Sequence, residues 1–162
     1  MSRAHDRAYR LLAERMRLAD PARWALYGVF AVLIASGAWW LAVHYEGQLI
    51  PAWNNELRRL ALEAWSMRVH GGAALVTLVC VGAMLTNHAR RGWTLARNRV
   101  SGATVIATFL LLTLTGYALY YLVSDASRPP VSMVHWALGL ALVPLLALHI
   151  GLGRRSRARS AW

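Results

Sequence analysis

Four stretches of this chain, residues 24–44, 69–88, 100–123 and 131–153, contain no Asp, Glu, Lys or Arg. Each is close to the ~20 residues that an α-helix needs to cross ~30 Å of hydrocarbon. A bilayer offers no water to the main chain, so a spanning segment must satisfy its own hydrogen bonds, and an α-helix does so within one segment. Composition agrees: 57% of the 162 residues are hydrophobic and 15% charged, against roughly 45–50% and about 25% for a soluble domain. The chain therefore reads as an all-α integral membrane protein, a four-helix up-down bundle. Its transmembrane domain is 24–153, with a basic amphipathic segment 1–23 before it and a basic tail 154–162 after it.

All 18 basic residues are Arg, and seven acids leave a formal net charge of +11. A surface for nucleic acid would spread such charge over a folded face with reading elements attached; here the arginines stand in short blocks between apolar runs, so nucleic acid is not expected as a partner. Six arginines lie in 1–23, four in 88–99 and four in 153–162. By the positive-inside rule both termini and the loop between helices 2 and 3 face the cytoplasm. Trp24, Trp39, Trp40, Trp65, Trp93 and Trp136 fall near predicted helix ends, where interfacial tryptophans gather. The first run is too long for a signal-peptide core and lacks an obvious small-x-small site after it, so no cleaved signal is expected.

Outside the spans, residues 4–18 place Ala8, Leu11, Leu12 and Leu18 among arginines, as in a basic helix lying on anionic lipid or a solvated tail that fixes topology. After Pro51, Trp53, Leu57, Leu60 and Ala64 recur at helical spacing, with Asn54 or Asn55 as N-cap. They predict an interfacial helix leading into helix 2, or a docking platform for a periplasmic partner.

Histidine within a membrane span is a functional signal. Of six histidines, His70 and His88 lie on helix 2, and His135 and His149 on helix 4. At 3.6 residues per turn, eighteen residues put His70 and His88 on one face, and fourteen bring His135 and His149 within about 40°. Helices 2 and 4 of an up-down bundle run in the same direction and sit diagonally across the core, where bundle proteins hold cofactors. His70 is then expected to meet His135, and His88 to meet His149. Between such pairs a flat macrocycle with two axial imidazoles fits, and the expected cofactor is haem b, whose iron suits electron transfer when both axial positions are filled. Bare zinc or nickel would call for carboxylates or ligands clustered at one depth. The single Cys80 rules out an intrachain disulfide and a Cys-x-x-Cys-His attachment; in its apolar run it is expected to be buried and inert.

Haem propionates need cationic partners. Arg68 and Arg128 stand at the outer side and Arg90, Arg91 and Arg99 at the inner side, with Arg68 and Arg99 the chosen candidates. Gly71, Gly72 and Gly139 are expected to give a ring system room, while Gly28, Ala31, Ala35 and Gly82 suit close helix approach. The rise over eighteen residues is ~27 Å and over fourteen ~21 Å. Both pairs are level only if helix 2 tilts more or bends, which leaves a one-haem version in which His44 replaces His70 as partner of His135. His5, in the basic tail, is no candidate ligand. Pro144 is expected to bend helix 4 between its histidines. Tyr117, Tyr120 and Tyr121 suit either a quinol pocket or an interfacial belt, and Thr104, Thr108 and Thr115 share a face of helix 3.

On His135-Trp136, Gly139 and His149 the chain resembles the bacterial di-haem cytochrome b superfamily. That superfamily includes the membrane subunits of formate dehydrogenases and nickel-iron hydrogenases and the cytochrome b561-like quinol oxidoreductases. Thr115-Gly116-Tyr117, with Tyr120 and Tyr121, is similar to a helix end in small membrane cytochromes of this kind. The resemblance covers roughly residues 24–153 and implies b-type haem in a bacterial inner membrane, with electron exchange between quinone and a periplasmic cytochrome or redox subunit. Those families usually take one ligand from each of helices 1 and 2, whereas here helix 2 carries two and helix 1 none near its inner end. Two histidines on each of two helices look more like the cytochrome b of the bc complexes. The expected function is a transmembrane electron carrier with two bis-histidine haems. Its rivals are a haem-free structural or assembly subunit and a histidine-based metal or proton transporter.

Overall fold

The computed structural model describes residues 20–49, 56–94 and 98–158. The basic segment with His5, the stretch with Trp53 and the candidate caps Asn54 and Asn55, and the last four residues lie outside them. The described elements are all helical: α1 (Asp20–Leu49), α2 (Glu56–Met84), a π turn (Leu85–Ala89), α3 (Arg90–Thr94), α4 (Arg99–Tyr121) and α5 (Arg128–Ala158). Four of them carry spans long and apolar enough to cross a membrane: Arg23–Tyr45, Glu56–Met84, Arg99–Tyr121 and Arg128–Ser156. This is the architecture of a multi-pass membrane protein, with lipid against its apolar faces.

Two boundaries depart from expectation. Leu57, Leu60 and Ala64 do not form a separate interfacial helix; they belong to the first turns of α2, which runs unbroken from Glu56. The α-helix then ends at Met84, and His88 sits in the π turn. A π turn bonds i to i+5 and puts an extra residue in the turn, so His88 is rotated away from the face on which unbroken α-helical spacing would align it with His70. At the other end of the chain, Pro129 and Pro130 stand in the first turn of α5, where their missing N–H groups leave no intrahelical bond unmade. α5 runs on through Pro144.

The chain divides after His88 into two compact units. In the first, α1 and α2 pack together, and they do so antiparallel, since His70 bonds Ser36 while His44 faces Glu63. In the second, α4 and α5 pack likewise, with Ser101 against His149 and Thr115 against His135. The buried positions are mostly small: Ser36 and Val43 on α1, Ser66, Ala73 and Thr77 on α2, Thr108 on α4, Leu142 on α5. Small residues let helices approach where lipid removes any hydrophobic drive to associate. Leu75, Val79, Leu110 and Leu114 are exposed, as lipid-facing side chains are.

Thr77 is fully buried, and its hydroxyl donates to the Ala73 carbonyl at 2.7 Å. Thr77→Leu overfills that position and is expected to destabilise the protein by about 1–3 kcal/mol. A lowered thermal midpoint in detergent checks this, and an unchanged midpoint contradicts it.

Candidate functional site

On α2, Glu63, Ser66, His70, Ala73 and Thr77 recur every three or four residues, which lines them along one face. On α4 the same spacing lines up Ser101, Thr108, Leu112 and Thr115, and on α5 His135, Leu142 and His149. Three of the four span histidines are held in the same way by the neighbouring helix of their own hairpin. His70 Nδ1 lies 3.2 Å from Ser36 Oγ and 3.0 Å from the Leu33 carbonyl oxygen. His135 Nδ1 lies 2.8 Å from Thr115 Oγ1. His149 Nδ1 lies 3.0 Å from Ser101 Oγ.

Each hydroxyl also lies near a carbonyl of its own preceding turn: Ser36 Oγ is 2.7 Å from that of Val32, Thr115 Oγ1 2.7 Å from that of Leu111, and Ser101 Oγ 3.2 Å from that of Asn98. For His70 the Leu33 carbonyl, which cannot donate, requires Nδ1 to be the donor, and the neutral ring then carries its lone pair on Nε2. At His135 and His149 the hydroxyl proton has two acceptors within reach, the carbonyl and Nδ1. Fixing one ring nitrogen by an outer hydrogen bond is how proteins present the other to a metal.

Glycine completes each notch. Ser36, Ser101 and Thr115 are each followed by Gly, and these are the only Ser-Gly or Thr-Gly dipeptides in the chain. A Cβ at Gly37 would stand 3.0 Å from His70 Cε1, and one at Gly116 3.2 Å from His135 Cε1. At Gly102 it would meet His149 Cε1 at 3.5 Å, an ordinary contact. Room for the rings thus comes from the helix facing each histidine. Beside Gly71 and Gly72, by contrast, a Cβ would meet no atom within 4 Å, and one on Gly139 would meet only Leu112. Gly28 and Gly72 instead line an open groove of about 460 Å³ on the first hairpin, so they are not points of closest helix approach.

At the N-terminal end of α4, Asn98 adopts a left-handed conformation (φ 50°) at the N-cap, which Asn tolerates better than most residues. Its carbonyl accepts from Ser101 and from the Gly102 amide, which places Ser101 opposite His149. His88 is half-buried in the π turn.

The remaining candidates are occupied differently from expectation. His44 faces Glu63, with Nδ1 3.5 Å from Oε1, and stacks on Trp40. Arg68 lies over the Trp65 ring at 5.0 Å. Arg99 directs Nε and one terminal nitrogen to the Trp93 carbonyl and lies over its ring. Arg128 donates to the Leu119 carbonyl near the end of α4. Arg99 and Arg128 so cap helix-terminal carbonyls, where a cation is favoured. Tyr117, Tyr120 and Tyr121 form an exposed aromatic group at the C-terminal end of α4. Thr104 and Thr108 bond their own preceding turn, while Thr115 does that and also holds His135. Cys80 is half-buried rather than buried.

No protein family, curated protein or solved structure matches the chain.

Ala in place of Gly inside a helix ordinarily stabilises by roughly 0.5–1 kcal/mol. Gly102→Ala is expected to be neutral or stabilising. Gly37→Ala is expected to push the His70 ring aside and destabilise by about 1–3 kcal/mol. Thermal midpoints of the two variants decide the matter: Gly37→Ala should lower the midpoint and Gly102→Ala should leave it unchanged or raise it, and equal lowering in both contradicts this.

Proposed function

We propose that this chain is a transmembrane b-type cytochrome. His70, His88, His135 and His149 serve as axial ligands of two haems, and the protein carries electrons between the quinone pool and a periplasmic redox partner or catalytic subunit. The observation that supports this best is the threefold notch: His70, His135 and His149, all on apolar membrane-length helices, each have Nδ1 engaged by a hydroxyl of the neighbouring helix, which orients the ring. Neutral imidazole nitrogens are the ligands that b-type haem takes on both faces, so this donor set fits the group.

When bound, haem supplies one-electron exchange at its iron. The chain's own residues do the rest. Ser36, Ser101 and Thr115 hold the ring orientations, Gly37 and Gly116 let the rings of His70 and His135 seat, and the apolar helices keep water away. Arg68 keeps its place as a propionate partner. The Arg99 guanidinium already spends two of its nitrogens on Trp93. Placement in a bacterial inner membrane with both termini cytoplasmic follows from the arginine distribution and the resemblance together.

His135→Ala and His149→Ala are each expected to lose one of two b-type haems, read from reduced-minus-oxidised spectra per chain; unchanged haem in both contradicts the assignment. Thr115→Val, which keeps the shape but removes the hydroxyl, is expected to weaken haem retention by roughly 10–100-fold.

A further inference from the structure

We propose that the second hairpin binds one anionic phospholipid, with an acyl chain in a groove between α4 and α5 and the phosphate among the arginines at the end of that groove. This goes beyond the general contact of apolar helices with lipid, and it does not depend on haem. The groove has a volume of about 500 Å³. Leu145, Leu148 and Leu152 of α5 form one wall, Val100 and Thr104 of α4 the other, and Arg99 stands where α4 begins. The Thr104 hydroxyl donates to the Val100 carbonyl at 3.0 Å, so the wall it belongs to asks little of an occupant but hydrocarbon. From Leu145 to Leu152 the groove follows α5 for ~10 Å. One leaflet contributes ~15 Å of the ~30 Å of hydrocarbon in a bilayer, so a groove of this length takes a single acyl chain.

Charge decides the class of lipid. Arg155 follows Leu145, Leu148 and Leu152 at helical spacing, so the apolar stripe on α5 ends in a guanidinium on the same face. The start of α4 and the end of α5 lie together, since the Asn98 side chain donates to Ser156 Oγ at 3.5 Å. Arg99, Arg154 and Arg155 are exposed there. From residue 89 to 162 the chain has one acidic residue, Asp125, and it faces Arg128 at the opposite end of the hairpin. The bonds that Arg99 makes to the Trp93 carbonyl leave its charge in place. This end of the hairpin therefore has no carboxylate of its own for its arginines, and a lipid phosphate is the anion that a bilayer supplies at that depth. Trp93 is exposed, with the Arg99 guanidinium over its ring, as befits a residue at headgroup level. Arginines that only set topology would need no groove continuous with them.

The test uses the full-length protein in detergent, titrated with dioleoylphosphatidylglycerol or dioleoylphosphatidylcholine and read by native mass spectrometry. Wild type is expected to take up one phosphatidylglycerol per chain saturably, about 10-fold more tightly than phosphatidylcholine. Leu148→Trp fills the groove from an exposed position and should abolish that step. Arg154→Gln combined with Arg155→Gln should weaken it about 10-fold; it alters only exposed side chains and keeps the test decisive should Leu148→Trp misfold. Leu114→Trp, exposed on α4 outside the groove, is the control and should bind as wild type does. Equal uptake of the two lipids by wild type overturns the proposal. Undiminished phosphatidylglycerol uptake in folded Leu148→Trp also overturns it, and means lipid gathered by the arginines alone. Haem lost from that variant while phosphatidylglycerol stays bound assigns the groove to haem and overturns it as well.

Discussion

A hydroxyl in an apolar helix finds its first partner in the carbonyl one turn back along its own chain, and that choice determines what it can do for a neighbour. Ser36, Ser101 and Thr115 each lie near such a carbonyl, and each also meets the Nδ1 of a histidine on the facing helix. Those three oxygens hold the rings of His70, His149 and His135 in orientation. Hydrocarbon offers no competing water, so every such bond has to be settled inside the hairpin.

Much of this was legible in the residues. Runs free of Asp, Glu, Lys and Arg located four helices, and the histidines on them marked the site. The start of α2 was missed because Glu56, Arg58, Arg59, Glu63 and Arg68 interrupt the apolar run without interrupting the helix. Hydropathy also carries no sign of the π turn that re-aims His88. The glycines that face the histidine rings stand on the other helix, and register between helices is not written in either one alone. A signal was nevertheless present. The chain has three Ser-Gly or Thr-Gly dipeptides, and the spacing of Ser101 and Thr115 equals that of His135 and His149 at fourteen residues. In antiparallel helices equal spacing allows both pairs to meet at once.

The histidines stand in two kinds of surroundings. His70, His135 and His149 each meet a hydroxyl of the facing helix, whereas His44 faces the Glu63 carboxylate and stacks on Trp40.

The most direct test of the cytochrome assignment is the haem content of the detergent-purified wild-type chain, expressed with ample haem and read by pyridine haemochrome against protein mass. The account predicts b-type haem at about two per chain with the spectrum of low-spin, bis-imidazole iron. A colourless protein that is folded and helical would contradict it.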